Sequence, residues 1–275
     1  IEKLNSFSSS AHLRIKYEEL FLFQLSLAYF RQKIMNISKK RSYKLNFKID
    51  DMERRLFPFC LTESQKKAIK EIIDDLLSPY PMRRLLQGEV GSGKTAVAIL
   101  ALLFVIENGY QTAFMAPTEV LAEQHYLRLK DIFKNFPYQL ALLTGSTSKK
   151  EKHNILEKLK NGKISLIIGT HSLFQSEVKF KNLAFVVIDE QHKFGVTQRA
   201  LLACKGQNID LLVMTATPIP RSLCLTLYSD LDLSVIREMP VGRKPVKSYL
   251  ITEDKRESLY NWIEMKLREG KQGYI

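Results

Sequence analysis

The central part of the chain alternates short, continuously apolar runs with longer segments of helical periodicity. Continuous apolar runs are typical of strands that are buried on both faces. We predict six strands: Leu85–Gln87, Thr112–Ala116, Leu140–Thr144, Leu166–Gly169, Phe185–Ile188 and Leu211–Met214. The helices predicted between or after them are Thr95–Glu107, Val120–Phe133, Lys149–Lys160 and Gln198–Ala203. This order predicts an α/β fold with a doubly wound parallel sheet.

Further elements flank this region. Apolar residues recur at threes and fours from Leu13 to Ala28, which predicts an amphipathic helix from Ala11 to about Met35. Thr62-Glu-Ser-Gln65 matches a capping box, and the helix that it opens should end near Leu77. Pro240–Pro245 is interpreted as a linker, and the segment Val246–Thr252 with a helix around Leu259–Leu267 would begin a second unit. We divide the chain into an N-terminal helical arm (1–56), an α/β lobe (57–240) and the start of a second lobe (241–275).

The chain of 275 residues is strongly basic, with 42 Lys and Arg against 29 Asp and Glu and a formal net charge of +13. Such a balance favours a polyanion or a membrane surface as partner. Part of the excess lies between Leu20 and Ile49, where seven basic residues occur without an acidic one. We call residues 31–48 the basic segment. The sequence leaves open whether it is a solvated connector or a surface that contacts phosphates.

Cysteine usage and apolar run length argue against two classes of protein. Cys60, Cys204 and Cys224 lie far apart, so we expect neither a disulfide framework nor a zinc ribbon, and a reducing cytoplasm is predicted. The longest apolar run, Ala96–Ile106, is roughly half of the ~20 residues that a membrane span needs. We therefore expect no membrane segment.

A phosphate-binding loop is predicted at Gly88-Glu-Val-Gly-Ser-Gly-Lys-Thr95, which fits G-x-x-x-x-G-K-[ST] and lies between a predicted strand and an apolar helix. Glycines let backbone N–H groups surround an anion, and the helix N-terminus adds a partial positive charge. Lys94 would reach the β- and γ-phosphates, and Thr95 would place its hydroxyl on Mg²⁺. The predicted nucleotide-binding residues of the loop are Gly88, Gly91, Ser92, Gly93, Lys94 and Thr95.

Two carboxylates, Asp189 and Glu190, follow the predicted strand Phe185–Ile188. Ligands of open α/β sheets bind at this edge. Asp189 is suited to hold Mg²⁺, and Glu190 to orient and deprotonate an attacking water, which is what phosphoryl transfer requires. We predict Lys94, Asp189 and Glu190 as catalytic residues.

Other chemistries fit less well. Val90 breaks the G-x-S-x-G pattern around Ser92, which excludes a nucleophile elbow. The histidines show no H-E-x-x-H spacing, so a zinc site is unsupported. A small-molecule kinase and a non-catalytic nucleic-acid-binding module remain as alternatives.

Three further strands end in small residues with hydroxyl or free N–H groups, which are good donors to phosphate oxygens. They form an Ala-Pro-Thr turn, a Thr-Gly-Ser turn and a Gly-Thr-His turn along one predicted sheet edge. Together with the basic excess, this indicates contact with a nucleic-acid backbone. The predicted DNA-binding residues are Pro117, Thr118, Thr144, Gly145, Ser146, Gly169, Thr170 and His171.

The order of these motifs resembles that of superfamily 2 helicases, and most closely the RecG-type ATP-dependent branched-DNA helicases of bacteria. The segments that look like motifs I, Ia, Ib, II and III are Leu85–Thr95, Ala116–His125, Ile168–Gln175, Val187–Gly195 and Met214–Arg221. Tyr17–Leu20 with Gln24–Leu27 is similar to the helix that joins the family's wedge domain to its first motor lobe. The resemblance covers essentially the whole chain.

The resemblance implies a RecA-like P-loop NTPase lobe that uses ATP and Mg²⁺ and acts on branched double-stranded DNA, such as forks and Holliday junctions, in recombination and repair. It implies a monomeric motor in the bacterial cytoplasm, associated with the nucleoid and not with a membrane. It also implies that Gln65 contacts adenine. A set of motif II and III residues would couple the ATP state to DNA contacts: Gln191, His192, Thr215, Thr217 and Arg221.

A transcription-repair coupling-type double-stranded DNA translocase is the alternative, because that family shares the stretch Thr215–Arg221. It usually carries Glu at the position of Gln191 and a different residue at that of Ser92, so these two positions favour the RecG type.

The resemblance also implies parts that lie outside these 275 residues. The family has a second lobe with motifs IV to VI and an arginine finger, whereas this chain ends at Ile275. The wedge domain would precede Ile1. We therefore expect the isolated chain to bind nucleotide weakly and to hydrolyse it little or not at all.

Overall fold

The computed structural model describes residues 9–35, 38–39, 41–45, 48–189, 209–217, 231–239 and 248–273. The chain divides into two compact units, Ile1–Pro240 and Val241–Ile275. In the second unit, residues 248–252 form neither helix nor strand, and a short 3-10 helix (Glu253–Lys255) leads into a helix, Arg256–Arg268.

The first unit is built on a seven-stranded sheet in which all paired strands are parallel. The strands are β1 (Arg83–Gly88), β2 (Gln111–Met115), β3 (Gln139–Leu143), β4 (Ile164–Gly169), β5 (Leu183–Asp189), β6 (Asp210–Thr215) and β7 (Asp232–Ile236). Their order across the sheet is β3-β4-β2-β5-β6-β1-β7. The predicted α/β class with a doubly wound parallel sheet is confirmed.

The predicted strands match β1 to β6 within two residues at each end, whereas β7 was not predicted. β7 lies at one edge of the sheet, beside β1 alone. Its sequence alternates, with Ser234 and Ile236 buried and Val235 exposed. Asp232 and Ser234 interrupt the apolar run by which we recognised the other strands.

Six helices belong to the described part of the first unit. They are α1 (Ser10–Met35), α2 (Ile49–Leu56), α3 (Glu63–Leu77), α4 (Lys94–Glu107), α5 (Glu119–Ile132) and α6 (Lys149–Lys160), and a 3-10 helix spans His171–Phe174. Five of them were predicted, and α2 was missed because it is short and rich in charge. The predicted helix Gln198–Ala203 lies outside the described residues.

Both faces of the sheet carry apolar clusters, which explains the continuous apolar strands. On one face, α4 is buried from Ala96 to Ile106 and packs with α3 against the strands. Phe104, Phe114 and Phe185 are the largest fully buried side chains of this layer. Alternate strand residues, such as Ala113, Val186 and Val213, form the cluster on the opposite face.

The packed core begins before residue 57, where we placed the start of the lobe. Tyr43, Met52 and Leu56 are buried in the same cluster as the residues of α3 and α4. α2 also contacts α4, and Arg55 of α2 pairs with Glu107 of α4 at 2.7 Å. The end of the predicted arm is thus part of the lobe's core.

Asp210, at the start of β6, fastens the basic segment to the sheet. Its Oδ1 lies 3.0 Å from Lys39 Nζ and accepts a hydrogen bond of 2.6 Å from the backbone N–H of Met82. Its Oδ2 accepts from Arg41 at 2.9 Å and from the Tyr43 hydroxyl at 2.8 Å. Because burial removes water from these groups, it lowers the pKa of the Lys39 ammonium and raises that of the Tyr43 hydroxyl.

For Lys39 and Arg41, both predicted interpretations of the basic segment are wrong. Their side chains are 0% and 12% exposed and pair with Asp210, so they form neither a solvated connector nor a phosphate-binding surface. Lys44 and Lys48 are exposed. The dehydration cost of a buried ion pair offsets much of its attraction. We therefore interpret the cluster of Lys39, Arg41 and Tyr43 around Asp210 as fixing where the basic segment attaches to the sheet.

α1 is less one-sided than the predicted amphipathic helix. Among its described side chains, apolar residues are exposed on several sides of the helix, including Leu22 and Phe23 beside the predicted positions Phe21 and Leu25. None of the helices in the described ranges combines the length and the apolar character that crossing a bilayer requires.

Candidate functional site

The predicted phosphate-binding loop connects the end of β1 to the start of α4. Gly91 and Gly93 have φ angles of 83° and 85°, in the left-handed region that favours glycine. Gly93 is the N-cap of α4. A Cβ at Gly93 would collide with the side-chain amide of Gln65, so this glycine is required by both backbone and space.

Lys94 and Ser92 place polar groups inside this loop. Lys94 Nζ donates to the carbonyl oxygens of Gly88 at 2.7 Å and of Glu89 at 3.1 Å, and the residue is 9% exposed. Among the described residues, the buried Ser92 hydroxyl has no hydrogen-bond partner. A buried cation, an unpaired hydroxyl and the start of a helix are the groups that a phosphate needs.

Gln65 performs two structural tasks beside this loop. It completes the predicted capping box with Thr62, whose backbone N–H donates to Gln65 Oε1 at 2.8 Å. Its Nε2 donates to the carbonyl oxygen of Ser92 at 2.7 Å, a contact that we did not predict. The contact ties α3 to the loop, and the role of Gln65 towards adenine stays a prediction.

Asp189 lies at the carboxyl end of β5, on the same side of the sheet as the loop that follows β1. β6 separates β5 from β1, so Asp189 is two strand spacings, about 10 Å, from the strand that enters the loop. In the intervening strand, Met214 pairs with Asp189, and Thr215 pairs with Gln87 of β1. Thr215 therefore lies between the strand that ends in Asp189 and the strand that enters the loop. It is buried, and its Oγ1 lies 2.9 Å from that of Thr217.

His125, for which the sequence favoured a hydrogen-bonding role over zinc binding without indicating a partner, contacts Asp189. Its Nε2 lies 3.0 Å from Asp189 Oδ2, and its ring packs on Phe114 of β2 with centroids 4.6 Å apart. The two residues are 64 positions apart in sequence, so no local pattern predicts their contact. The predicted residues Glu190, Gln191, His192 and Arg221 lie outside the described part of the chain.

The three predicted DNA-binding turns are adjacent. Gly169, at the end of β4, pairs with Leu143 of β3 on one side and with Met115 of β2 on the other. The backbone N–H of Ala116 donates to the Gly169 carbonyl oxygen at 2.9 Å. The strand ends that precede the turns are therefore in register at one edge, as predicted.

These eight predicted DNA-binding residues differ in accessibility. Gly169 and Thr144 are buried, and a Cβ at Gly169 would meet the Leu143 carbonyl oxygen, so these two residues shape the turns. Four of the others are exposed, namely Thr118, Gly145, Ser146 and His171, while Pro117 and Thr170 are half-buried. The Gly145 N–H donates to Glu119 Oε1 at 2.8 Å, a contact that the sequence did not predict.

Replacing Gly93 by alanine is expected to weaken nucleotide binding. The positive φ alone costs ~1–2 kcal/mol of stability for a residue with a Cβ. Gly109→Ala is a matched control, because Gly109 has a φ of 82° and its added Cβ would meet no atom within 4 Å. Urea denaturation should therefore show destabilisation by both changes, larger for Gly93→Ala because its Cβ also displaces the Gln65 amide, and fluorescence titration of a nucleotide should show weaker binding for Gly93→Ala alone. Equal nucleotide affinity in the two variants would contradict the assigned role of Gly93.

Comparisons with known proteins agree with the geometry. The DEAD/DEAH box helicase family model matches residues 62–225. The chain is 47% identical to the ATP-dependent DNA helicase RecG of Aquifex aeolicus, over 100% of this chain and 35% of the relative, and 48% identical to that of Thermotoga maritima, over 96% and 34%. The structure of RecG bound to a three-way DNA junction matches with a TM-score of 0.84 and 45% identity, over 95% of this chain and 36% of that one.

The chain spans about a third of the length of these relatives. The helicase MrfA bound to DNA and AMPPNP, at 16% identity and a TM-score of 0.59 over 83% of this chain and 35% of that one, supports the RecA-like fold alone. Identity near 45% over the whole chain agrees with the resemblance to RecG-type helicases that the motifs predicted. The chain belongs to the DEAD/DEAH box helicase family.

Proposed function

We propose that the chain is the ATP-binding first motor lobe of a RecG-type helicase. The full-length protein would hydrolyse ATP to move along double-stranded DNA and to remodel forks and Holliday junctions in recombination and repair. The observation that carries the proposal is the placement of the phosphate-binding loop, Asp189 and three hydroxyl-rich turns at the carboxyl edge of one parallel sheet. The relatives' descriptions as ATP-dependent DNA helicases support it.

In the proposed ATP site, the loop holds the phosphates. Backbone N–H groups at the start of α4 and the Ser92 hydroxyl donate to phosphate oxygens. Lys94 exchanges its bonds with the loop carbonyls for the β- and γ-phosphates, so that its charge is balanced by the substrate. Gln65 contacts adenine while keeping α3 next to the loop.

Thr95 and Asp189 are the residues that would hold Mg²⁺, which neutralises phosphate charge when it is bound. The Thr95 hydroxyl and the Asp189 carboxylate are hard oxygen donors, as Mg²⁺ prefers. Glu190 orients and deprotonates the attacking water. We assign the coupling of the ATP state to DNA contacts to Thr215, which lies on the strand between β5 and β1, together with Gln191, His192, Thr217 and Arg221. Efficient hydrolysis requires an arginine finger from a second lobe.

In the proposed DNA site, the three adjacent turns contact the sugar-phosphate backbone. The hydroxyls of Thr118 and Ser146 donate to phosphates, as does the Gly145 N–H once its bond to Glu119 is released, and Gly169 and Thr144 shape the surface. Contacts of this kind do not read base sequence, which suits a motor that moves along DNA. We further propose a monomeric motor that acts at the nucleoid in the bacterial cytoplasm.

A DNA titration at several salt concentrations tests this function. Backbone contacts release counterions, so we expect the affinity of the full-length protein for a synthetic three-way junction to fall steeply between 50 and 200 mM salt, by about 10³-fold or more if six or more phosphates are contacted. Fluorescence anisotropy measures this affinity. Undetectable binding to DNA would favour the small-molecule kinase alternative. Binding without ATP turnover would favour the non-catalytic module.

A further inference from the structure

Helix α5 contacts both the proposed DNA surface and the proposed ATP site. Its N-cap is Thr118, whose Oγ1 accepts from the Leu121 N–H at 3.3 Å, so the helix begins in the first DNA-binding turn. Its first residue, Glu119, accepts the N–H of Gly145 in the second turn. Six residues later, about 9 Å along the helix axis, His125 meets the carboxylate of Asp189.

The contact between Glu119 and Gly145 occupies a donor that the proposed DNA site needs. A backbone N–H that donates to a carboxylate at 2.8 Å is not free for a phosphate oxygen. Both acceptors are anions, so a phosphate that reaches Gly145 must displace the Glu119 carboxylate and repel it. DNA binding would therefore change the contacts of the first turn of α5.

The contact between His125 and Asp189 can carry this change to the ATP site. His125 lies on the inner side of α5, near the buried residues Ala122 and Leu129, and its ring packs on Phe114. Its side chain is 14% exposed and that of Asp189 15% exposed, so both have little freedom. A hydrogen bond to one oxygen of a carboxylate fixes the direction in which the carboxylate points.

We infer that α5 couples DNA binding to ATP hydrolysis, with Glu119 as the group that a DNA phosphate displaces and His125 as the residue that positions Asp189. The inference rests on the proposed function. It adds two positioning residues to the proposed site, and neither of them was among the site residues predicted from the sequence. In this account the Glu119 contact marks the DNA-free state.

His125→Phe in the full-length protein tests the second half of the coupling. Phenylalanine keeps an aromatic ring against Phe114 and removes the hydrogen bond to Asp189. We expect DNA-stimulated ATP turnover to fall about tenfold, as for other groups that orient metal ligands, while the DNA dissociation constant and the melting temperature stay near those of the unchanged protein. His125→Gln restores a donor and should recover part of the stimulation. His153→Phe, at an exposed histidine of α6, is the matched control.

Glu119→Ala tests the first half of the coupling. Without the carboxylate, Gly145 is free to bind phosphate, so the DNA concentration that gives half-maximal ATP turnover should fall several-fold. Glu123→Ala, at an exposed carboxylate one turn further along α5, should leave that concentration unchanged. An unchanged or higher half-maximal DNA concentration for Glu119→Ala would overturn the role of Glu119.

Three results would overturn the role of His125: full stimulation in His125→Phe, an equal loss of turnover with and without DNA, or a lower melting temperature that explains the loss. ATP hydrolysis by the unchanged protein, measured with and without DNA, distinguishes failure of this inference from failure of the proposed function. If it hydrolyses ATP without stimulation by DNA, the proposed function fails and the inference with it. If it is stimulated and the variants behave like their controls, only the inference fails.

Discussion

Replacing Lys94 by alanine in the full-length protein is expected to lower DNA-stimulated ATP hydrolysis by about 100-fold or more. Lys94 supplies the buried positive charge of the loop, and removing one preorganised group that stabilises transition-state charge costs ~10²–10³ in turnover. Steady-state phosphate release measures the effect. The change should leave the fold intact, because the lysine ammonium contacts the carbonyl oxygens of Gly88 and Glu89, which lie in the loop itself.

Lys70→Ala is the control for this change, since Lys70 is an exposed lysine on α3. Its turnover should equal that of the unchanged protein. A Lys94→Ala variant that keeps more than about a tenth of the normal turnover would contradict the proposed position of Lys94 on the phosphates.

Replacing Glu190 by glutamine should abolish turnover and leave ATP binding intact. The change keeps the size of the side chain and removes the group that we propose as general base, a role whose loss costs ~10²–10⁴ in rate. ATP binding can be followed by fluorescence titration, and turnover by single-turnover hydrolysis. Asp131→Asn, at an exposed carboxylate of α5, should change neither quantity.

Retained hydrolysis in Glu190→Gln would remove Glu190 from its proposed role and point to another base. Loss of ATP binding together with hydrolysis would instead indicate that Glu190 holds the nucleotide. The test therefore separates the role of Glu190 from the role proposed for Asp189 beside it.

The elements that the sequence predicted well are those whose signal is local. The strands β1 to β6 each contain an apolar run that packs into the clusters on the two faces of the sheet, and Thr62-Glu-Ser-Gln65 forms the capping box that its spacing predicts. The loop from Gly88 to Thr95 lies between a strand and a helix, where its motif requires it. Local patterns were sufficient here because each feature depends on residues that are near in sequence.

The contacts that the sequence did not predict join residues that are far apart in the chain. Arg41 and Tyr43 are 169 and 167 positions from Asp210, and His125 is 64 from Asp189. A basic segment with no nearby acid has the same composition whether it faces solvent, DNA or a buried carboxylate. Periodicity records which face of an element is apolar and carries no information about which polar groups meet across the sheet.

The basic segment attaches at the amino ends of the strands, opposite the carboxyl ends where the proposed site lies. Arg41 donates to the Ala184 carbonyl oxygen on β5, while Asp210 on β6 accepts from Met82, which precedes β1. These three strands end, at their other edge, in Asp189, Thr215 and the phosphate-binding loop. The cluster thus holds together the amino ends of the strands that carry the proposed catalytic groups.

Strand separation tests whether the full-length protein is an ATP-driven motor for branched DNA. The full-length protein is mixed with a fluorescently labelled Holliday junction and Mg²⁺, with ATP or with a non-hydrolysable analogue. We expect the junction to be converted to duplex products with ATP and not with the analogue, and we expect the Lys94→Ala protein to bind the junction without converting it. Conversion that is equally fast with the analogue, or an ATP-hydrolysing protein that leaves the junction intact, would show that ATP hydrolysis does not drive the remodelling of branched DNA.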